Sequence, residues 1–405
     1  AVGENTVLSG IINMVKQAQG EKPPVQQLAD KISAVFIPLV LAIALTTFIA
    51  SWIILKEFTP ALMRSIAVLV IACPCAMGLA TPAAIAVGLG RAAKTGILFR
   101  NATSLENFKN IKKVVFDKTG TLTTGKFIIA DYKFPSGEED SFKKLVFSLE
   151  KYSNHPIAKA IITEWKTKDE IRWKKIEEIK GKGMRAEDND GNTYWAGSFR
   201  IAEKFTKEKS HNVYIVKNDE LLGWIDVKDE IREEAKTVIN YLQGQNIETI
   251  LLSGDRQEKC DELAKELGID TVIAEQTPEQ KLTKVAELSD TVPTAMVGDG
   301  INDAPALAKA TIGISMNEAS QIAVQSAQVI LMNHGLKKLP TALGLGRHTY
   351  LTIKQNLFWA FAYNIVAIPV AAFGFLTPTF GALVMGMSDV VLAINSVRLF
   401  VKKVV

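Results

Sequence analysis

The chain has 405 residues, of which 48% are hydrophobic and 22% charged, with three cysteines and a formal net charge of +4. That length allows more than one domain, and that apolar share with a mean hydropathy of +0.13 leads us to expect a chain that is not wholly water-soluble. The slight positive charge gives no reason to expect a nucleic-acid partner. Three cysteines, two of them inside an apolar run, exclude a disulfide scaffold.

Residues 1–30 are polar and helix-prone, with an amphipathic segment around Leu8 to Val15 and a break at Pro23-Pro24. Ile32 to Leu55 is apolar and uncharged, long enough for a membrane-crossing helix. Lys56, Glu57, Pro60 and Arg64 mark a loop, and a second uncharged run, Ser65 to Gly90, carries Cys73-Pro74-Cys75. Residues 99–345 alternate strand and helix patterns, which predicts a soluble α/β portion. Two further apolar runs, Leu357 to Leu376 and Phe380 to Phe400, follow. Four spans would put both termini and the large domain on one side. Arg91, Lys94, Arg100, Lys354, Arg398, Lys402 and Lys403 flank that side, so it is expected to be cytoplasmic, under a plasma (inner) membrane. The opening residues carry no initiator Met and no signal pattern, so the chain is expected to be the carboxyl part of something longer.

The chemistry centres on VVFDKTGTLTTGK, Val114 to Lys126. Val114 to Phe116 suit a buried strand, with Asp117 at its carboxyl end and donors from Lys118, Thr119, Gly120 and Thr121 around it. A carboxylate in that setting suits a nucleophile that attacks a phosphoryl group. Two more apolar strands end in Gly and Asp: Thr249 to Leu252 before Ser253-Gly254-Asp255, and Ala295 to Val297 before Gly298-Asp299-Gly300-Ile301-Asn302-Asp303. Such strand ends converge on one crevice of a parallel sheet. Asp299 and Asp303 supply hard oxygens for Mg²⁺ beside Asp117. Lys281, in Pro278-Glu279-Gln280-Lys281, is placed to neutralise a transferred phosphoryl group. Taken singly, each of these is an ordinary loop residue; the ordered set is specific.

DKTGTLT, SGD, PEQK and GDGINDAPAL together resemble the phosphorylation machinery of P-type ATPases, whose phosphorylation domain has a haloacid-dehalogenase-like fold. The resemblance implies Asp117 as the phosphorylated residue, with Thr119, Lys281, Asp299 and Asp303 catalytic and Mg²⁺ held by Asp117, Asp299 and Asp303. It implies Lys118, Thr121, Ser253, Gly254, Asp255 and Asn302 around the phosphoryl group. Phosphatases of the superfamily carry an acid–base Asp where Thr119 stands, so the aspartyl phosphate is expected to hydrolyse slowly. The implied fold class is α/β plus membrane helices: a haloacid-dehalogenase-like domain with an inserted α+β nucleotide-binding domain and four transmembrane helices. The expected layout is an actuator-domain tail over 1–30 and a helix pair over 31–98. The phosphorylation domain takes 99–126 and 226–345, the nucleotide-binding insert 127–225, and a second helix pair 346–405.

Within the insert, Asp190-Gly191 and Asn218-Asp219 predict hairpin turns. Glu150, His155-Pro156, Gly181 and Gly183 resemble the ATP site of the heavy-metal-transporting branch, although Ser198 stands where that branch often has Asn. His211, His334 and His348 do not cluster and read as structural.

Cys73 and Cys75 flank Pro74, which removes a backbone donor and kinks a helix. One membrane thiol would read as packing, but two flanking a proline suit a soft ion. ACPCAMGLATP resembles the transport motif of the same branch, and Tyr363-Asn364 with Met385 and Ser388 match its copper(I) exporters. Cu(I), or Ag(I), is therefore the expected cargo, with a zinc or cadmium pump as the alternative. Asp389 departs from the copper pattern, which expects a second Ser, and an intramembrane acid is a functional candidate by default. Met77 and Met387 read chiefly as packing. The lipid bilayer, a cytosolic copper donor and the missing amino-terminal part of the pump are the expected partners. That part would supply the Thr-Gly-Glu loop that breaks the phosphoenzyme. A truncated, non-pumping metal-binding or regulatory protein and a membrane-anchored phosphatase are the rival readings, and Thr119 argues against the latter.

Overall fold

The computed structural model describes residues 23–404 apart from 74, 136–137, 300–302, 317–324 and 333–334. The amphipathic segment expected around Leu8 to Val15, together with Asn302, Pro74 and His334, lies outside the described residues. The chain divides into two compact units, one of residues 1–121 and 234–405, the other of residues 122–233.

The first unit holds a seven-stranded sheet in the order β1-β13-β12-β11-β2-β9-β10. These strands are β1 (Ile97–Phe99), β2 (Lys113–Asp117), β9 (Glu248–Leu252), β10 (Thr271–Ile273), β11 (Thr294–Gly298), β12 (Ile312–Met316) and β13 (Val329–Leu331). All neighbours are parallel except β1 against β13. Parallel strands are covered on both faces and read as continuous apolar runs, and β11 and β12 are buried along their whole length. From β2 the chain builds outward to β9 and β10, then returns to the other side for β11. The carboxyl end of β2 is therefore a topological switch point, the position at which open α/β sheets bind ligands.

The same unit carries the apolar helices. Pro24–Leu55 and the stretch Pro378–Phe400 are long and apolar enough to cross a membrane. Val35, Ile53, Ile54, Ile365 and Phe375 are each more than 70% exposed, an apolar surface that water does not cover cheaply. The second expected span is an interrupted pair rather than one kinked helix. Phe58–Ile71 ends, and Cys75–Lys94 begins after the gap. The third expected span is the second half of a longer helix, Leu339–Ala372. Its first half buries Leu339, Leu343, Leu345 and Ile353.

The second unit is a six-stranded antiparallel sheet in the order β3-β8-β7-β6-β5-β4. It comprises β3 (Thr123–Lys133), β4 (Lys175–Ile179), β5 (Gly183–Glu187), β6 (Thr193–Gly197), β7 (Val213–Lys217) and β8 (Glu220–Ile231). The helices Glu139–Glu150 and Pro156–Glu164 pack on it through Phe142, Val146, Leu149 and Ile161, against Ile215 and Ile225. Asp188 to Asn192 and Asn218 form the expected hairpin turns, with Gly191 and Asn218 at φ +84° and +52°.

Candidate functional site

Strand register brings the acids together. Asp117, the last residue of β2, lies opposite Leu252 of β9, and Phe116 lies opposite Val297 of β11. The residues that follow those partners, Ser253 and Gly298-Asp299, therefore lie at the same edge as Asp117. One oxygen each of Asp117, Asp299 and Asp303 lies within 4.8 Å of the others.

Lys281 reaches this cluster from the first turn of the helix Pro278–Thr291. Thr277 caps that helix in a reciprocal box: its hydroxyl accepts from the Gln280 amide at 3.3 Å, and its own amide donates to Gln280 Oε1 at 2.8 Å. Pro278 pre-sets the first helical φ. So held, Lys281 Nζ donates to Asp117 Oδ1 and, at 3.0 Å, to Asp303 Oδ1. A second cation, Lys118, pairs with Asp255, whose amide donates to Ser253 Oγ at 3.1 Å.

Charge in this pocket is unbalanced, with three carboxylates around one buried ammonium. Burial first, then the Asp303 charge, pushes the Asp117 carboxyl up to about 7, against the opposing pull of Lys281. Burial works against the Lys281 ammonium, but Asp117 and Asp303 outweigh it and hold its pKa above the ordinary lysine range. The Thr121 hydroxyl is buried and has no partner among the described residues. Excess carboxylate and an orphaned hydroxyl are what a site leaves open for a hard divalent cation and a phosphoryl oxygen. The oxygen donors fit Mg²⁺ held by Asp117, Asp299 and Asp303. Thr119, two residues after Asp117, is exposed, and Gly254 sits beside the Gln276 carbonyl.

A separate cleft of about 230 Å³ lies within the second unit, lined by Glu150, His155, Glu178, Gly181, Gly183 and Asn212 among others. His155 caps the helix Pro156–Glu164, its Nδ1 accepting from the Ile157 amide at 3.3 Å, with Pro156 as the first helical residue. Gly183, at φ +124°, pairs with Gly197, and a β-carbon on it would sit 2.2 Å from the Ala196 carbonyl oxygen. Burial, reinforced by the Glu178 charge, pushes the Glu150 carboxyl up to about 7. Glu178 and Asn212 are lining residues that the sequence reading did not single out. Each comes from a strand or turn distant in sequence from Glu150, and no local motif marks either one.

Among the apolar helices, Cys73 is half-buried in the gap after Ile71, and nothing is described of the Cys75 side chain. Tyr363 Oη donates to the Ile71 carbonyl at 3.4 Å, a long bond. Asn364 is 3% exposed, while Met385 and Ser388 are half-buried. Met77 packs with Ala29, Ala80, Ala360 and Leu392, as a packing residue should, and Met387 is exposed. His211 is tied into the insert, with Nδ1 2.7 Å from Asp226 Oδ2 and its ring stacked on Trp224. His348 keeps a buried ring nitrogen without a partner among the described residues.

Residues 111–311 match the haloacid dehalogenase-like hydrolase family. The chain is 40% identical to a copper-exporting P-type ATPase of Staphylococcus saprophyticus over 417 residues, 98% of this chain and 52% of the relative. It is 42% identical to one of Staphylococcus haemolyticus, with the same coverage of 98% and 52%. The chain thus spans about half the length of the curated relatives it matches. The crystal structure of a zinc-transporting PIB-type ATPase in the E2.Pi state superposes with a TM-score of 0.84 at 28% identity, covering 99% of this chain and 68% of the other. With its strand-end aspartates, its lysine and these relatives, the chain belongs to the P-type ATPase family.

Proposed function

We propose that this chain is the carboxyl-terminal part of an ATP-driven pump that exports Cu(I), or Ag(I), through an aspartyl phosphate on Asp117. The observation that carries the reading is the meeting of Asp117, Asp299, Asp303 and Lys281 at the switch point of a parallel sheet. An Asp117 carboxylate oxygen attacks the γ-phosphorus of ATP, the bond to the β–γ bridging oxygen breaks, and ADP leaves with that oxygen. Asp117, Asp299 and Asp303 would hold Mg²⁺, which when bound would supply neutralising charge to the phosphoryl oxygens. Lys281, bonded to Asp117 and Asp303, stabilises the same charge, and Thr121, Ser253 and the backbone of Gly254 fix the group's orientation, with Asn302 as a further expected donor.

Glu150, His155, Pro156, Gly181 and Gly183 are the proposed ATP-holding residues of the insert, with the glycines letting phosphate approach the backbone. Thr119 carries no acid, so no side chain there activates water and the phosphoenzyme persists until a conformational step. The proposed cargo ligands are Cys73, Cys75, Tyr363, Asn364, Met385 and Ser388, a sulfur-rich set that suits a soft monovalent ion. Two relatives are named copper-exporting, which agrees with that chemistry. Four membrane passes with the catalytic units in the cytoplasm, a cytosolic copper donor and an amino-terminal partner segment complete the reading.

A zinc-type pump is the second reading, favoured by Asp389, whose Oδ1 is buried without a partner among the described residues. Labelling with γ-labelled ATP across a metal series tests the choice: Cu(I) should govern label incorporation in the wild type and fail to do so in C73S. Control by zinc alone would reverse the cargo assignment.

A further inference from the structure

The cleft of the second unit carries charges of two kinds. Glu150 and Glu178 are its acids, and the Glu178 charge reaches the Glu150 carboxyl. Lys182 is its cation, held between Gly181 and Gly183 where β4 turns into β5. Ser198 braces this loop from outside. Its amide donates to the Lys182 carbonyl at 2.9 Å, and its hydroxyl donates to the Gly181 carbonyl at 3.1 Å. Two oxygens that would repel an anion are thereby occupied. Ser198 also starts the short helical turn Phe199–Ile201, which carries Arg200. Arg200 Nη1 lies 3.1 Å from where a β-carbon on Gly181 would stand, and φ there is +76°. The guanidinium therefore lies against backbone that only glycine leaves bare. Arg200 is exposed, and no acid pairs with it among the described residues. A fork of N–H donors with no acid to bind, set beside a second cation on a glycine loop, suits phosphate oxygens.

We propose that Arg200 and Lys182 clamp the phosphate tail of the nucleotide, and that Arg200 makes the cleft prefer a nucleoside di- or triphosphate to the bare nucleoside. The clamp rests on the reading that ATP lies in this cleft, and it names the residue that grips the tail. Arg200 is a positioning residue, since it fixes the tail and takes no part in the bond that breaks. Glu150 and Glu178 suit the other part of the ligand, a base that is uncharged and offers N–H donors.

The test is equilibrium binding to the full chain in detergent of three ligands: ADP, a non-hydrolysable β,γ-methylene analogue of ATP, and adenosine. R200A should bind both phosphorylated ligands roughly ten-fold more weakly than the wild type, and adenosine equally well. R200K should recover part of the loss. The gap between wild type and R200A should narrow at high salt, because an exposed cation is screened. An equal loss for adenosine reduces Arg200 to a brace of the loop, and no loss for the phosphorylated ligands removes it from the site; either overturns the clamp. The ATP reading fails separately, if H155A and E150Q bind all three ligands as the wild type does.

Discussion

Gly120 lies so close to Asp299 that a β-carbon added at position 120 would fall 1.6 Å from an Asp299 carboxylate oxygen, and the backbone there has φ +76°. Both the space and the dihedral demand glycine. G120A should therefore displace Asp299 from the acidic cluster and cut phosphorylation of Asp117 by roughly 100-fold or more. Single-turnover labelling checks it, and a wild-type rate would mean that Asp299 does not need its present position.

Removing Lys281 leaves Asp117 and Asp303 buried without their shared cation. K281M should lower the labelling rate by roughly 100-fold, the scale for losing one preorganised charge at a reacting phosphoryl group. The variant should also be less stable, since a broken buried ion pair leaves uncompensated charge. Labelling rate and thermal midpoint read the two effects separately.

Thr119, two residues after Asp117, is exposed and offers no base. T119D supplies one within reach of an attacking water. The aspartyl phosphate should then decay roughly 10- to 100-fold faster, the low end of general-base catalysis. A pulse of label followed by a chase gives the rate, and unchanged decay would show that water access, rather than the missing base, limits hydrolysis.

Folding raises the Glu150 carboxyl from its ordinary 4.5 to about 7, so between those values the folded chain keeps a proton that the unfolded chain has released. Stability contributed by this group is full below about 4.5 and is lost as pH rises through 7. The whole effect is about 3 kcal/mol at most. E150Q should flatten that slope. Trp165, Trp173, Trp195 and Trp224 all lie in this unit, so fluorescence melts at several pH values report it.

The site was legible in the sequence wherever an apolar strand ran straight into Gly and Asp, because that pattern is local. Asp117, Ser253, Asp299 and Asp303 are of this kind. Strand order is not local, so the register that sets Val297 opposite Phe116, and hence Asp299 beside Asp117, came only with the sheet. Hydropathy sees lipid-facing residues alone, which is why the helix Leu339–Ala372 begins well before its apolar run. Its first half is held by packing rather than by lipid. The proline between two cysteines predicts a kink within one helix, whereas one helix ends at Ile71 and the next begins at Cys75. Glu178 and Asn212 reach the Glu150 cleft through antiparallel pairing across the insert, a relationship no spacing encodes.

The most direct measurement of the account is acid-stable label on the full chain from γ-labelled ATP, with Cu(I) supplied or withheld, in wild type, D117N and the double variant C73S/C75S. The account predicts label in the wild type that responds to Cu(I), none in D117N, and label that ignores Cu(I) in the cysteine variant. Label surviving in D117N, or an unchanged Cu(I) response without the cysteines, would contradict it.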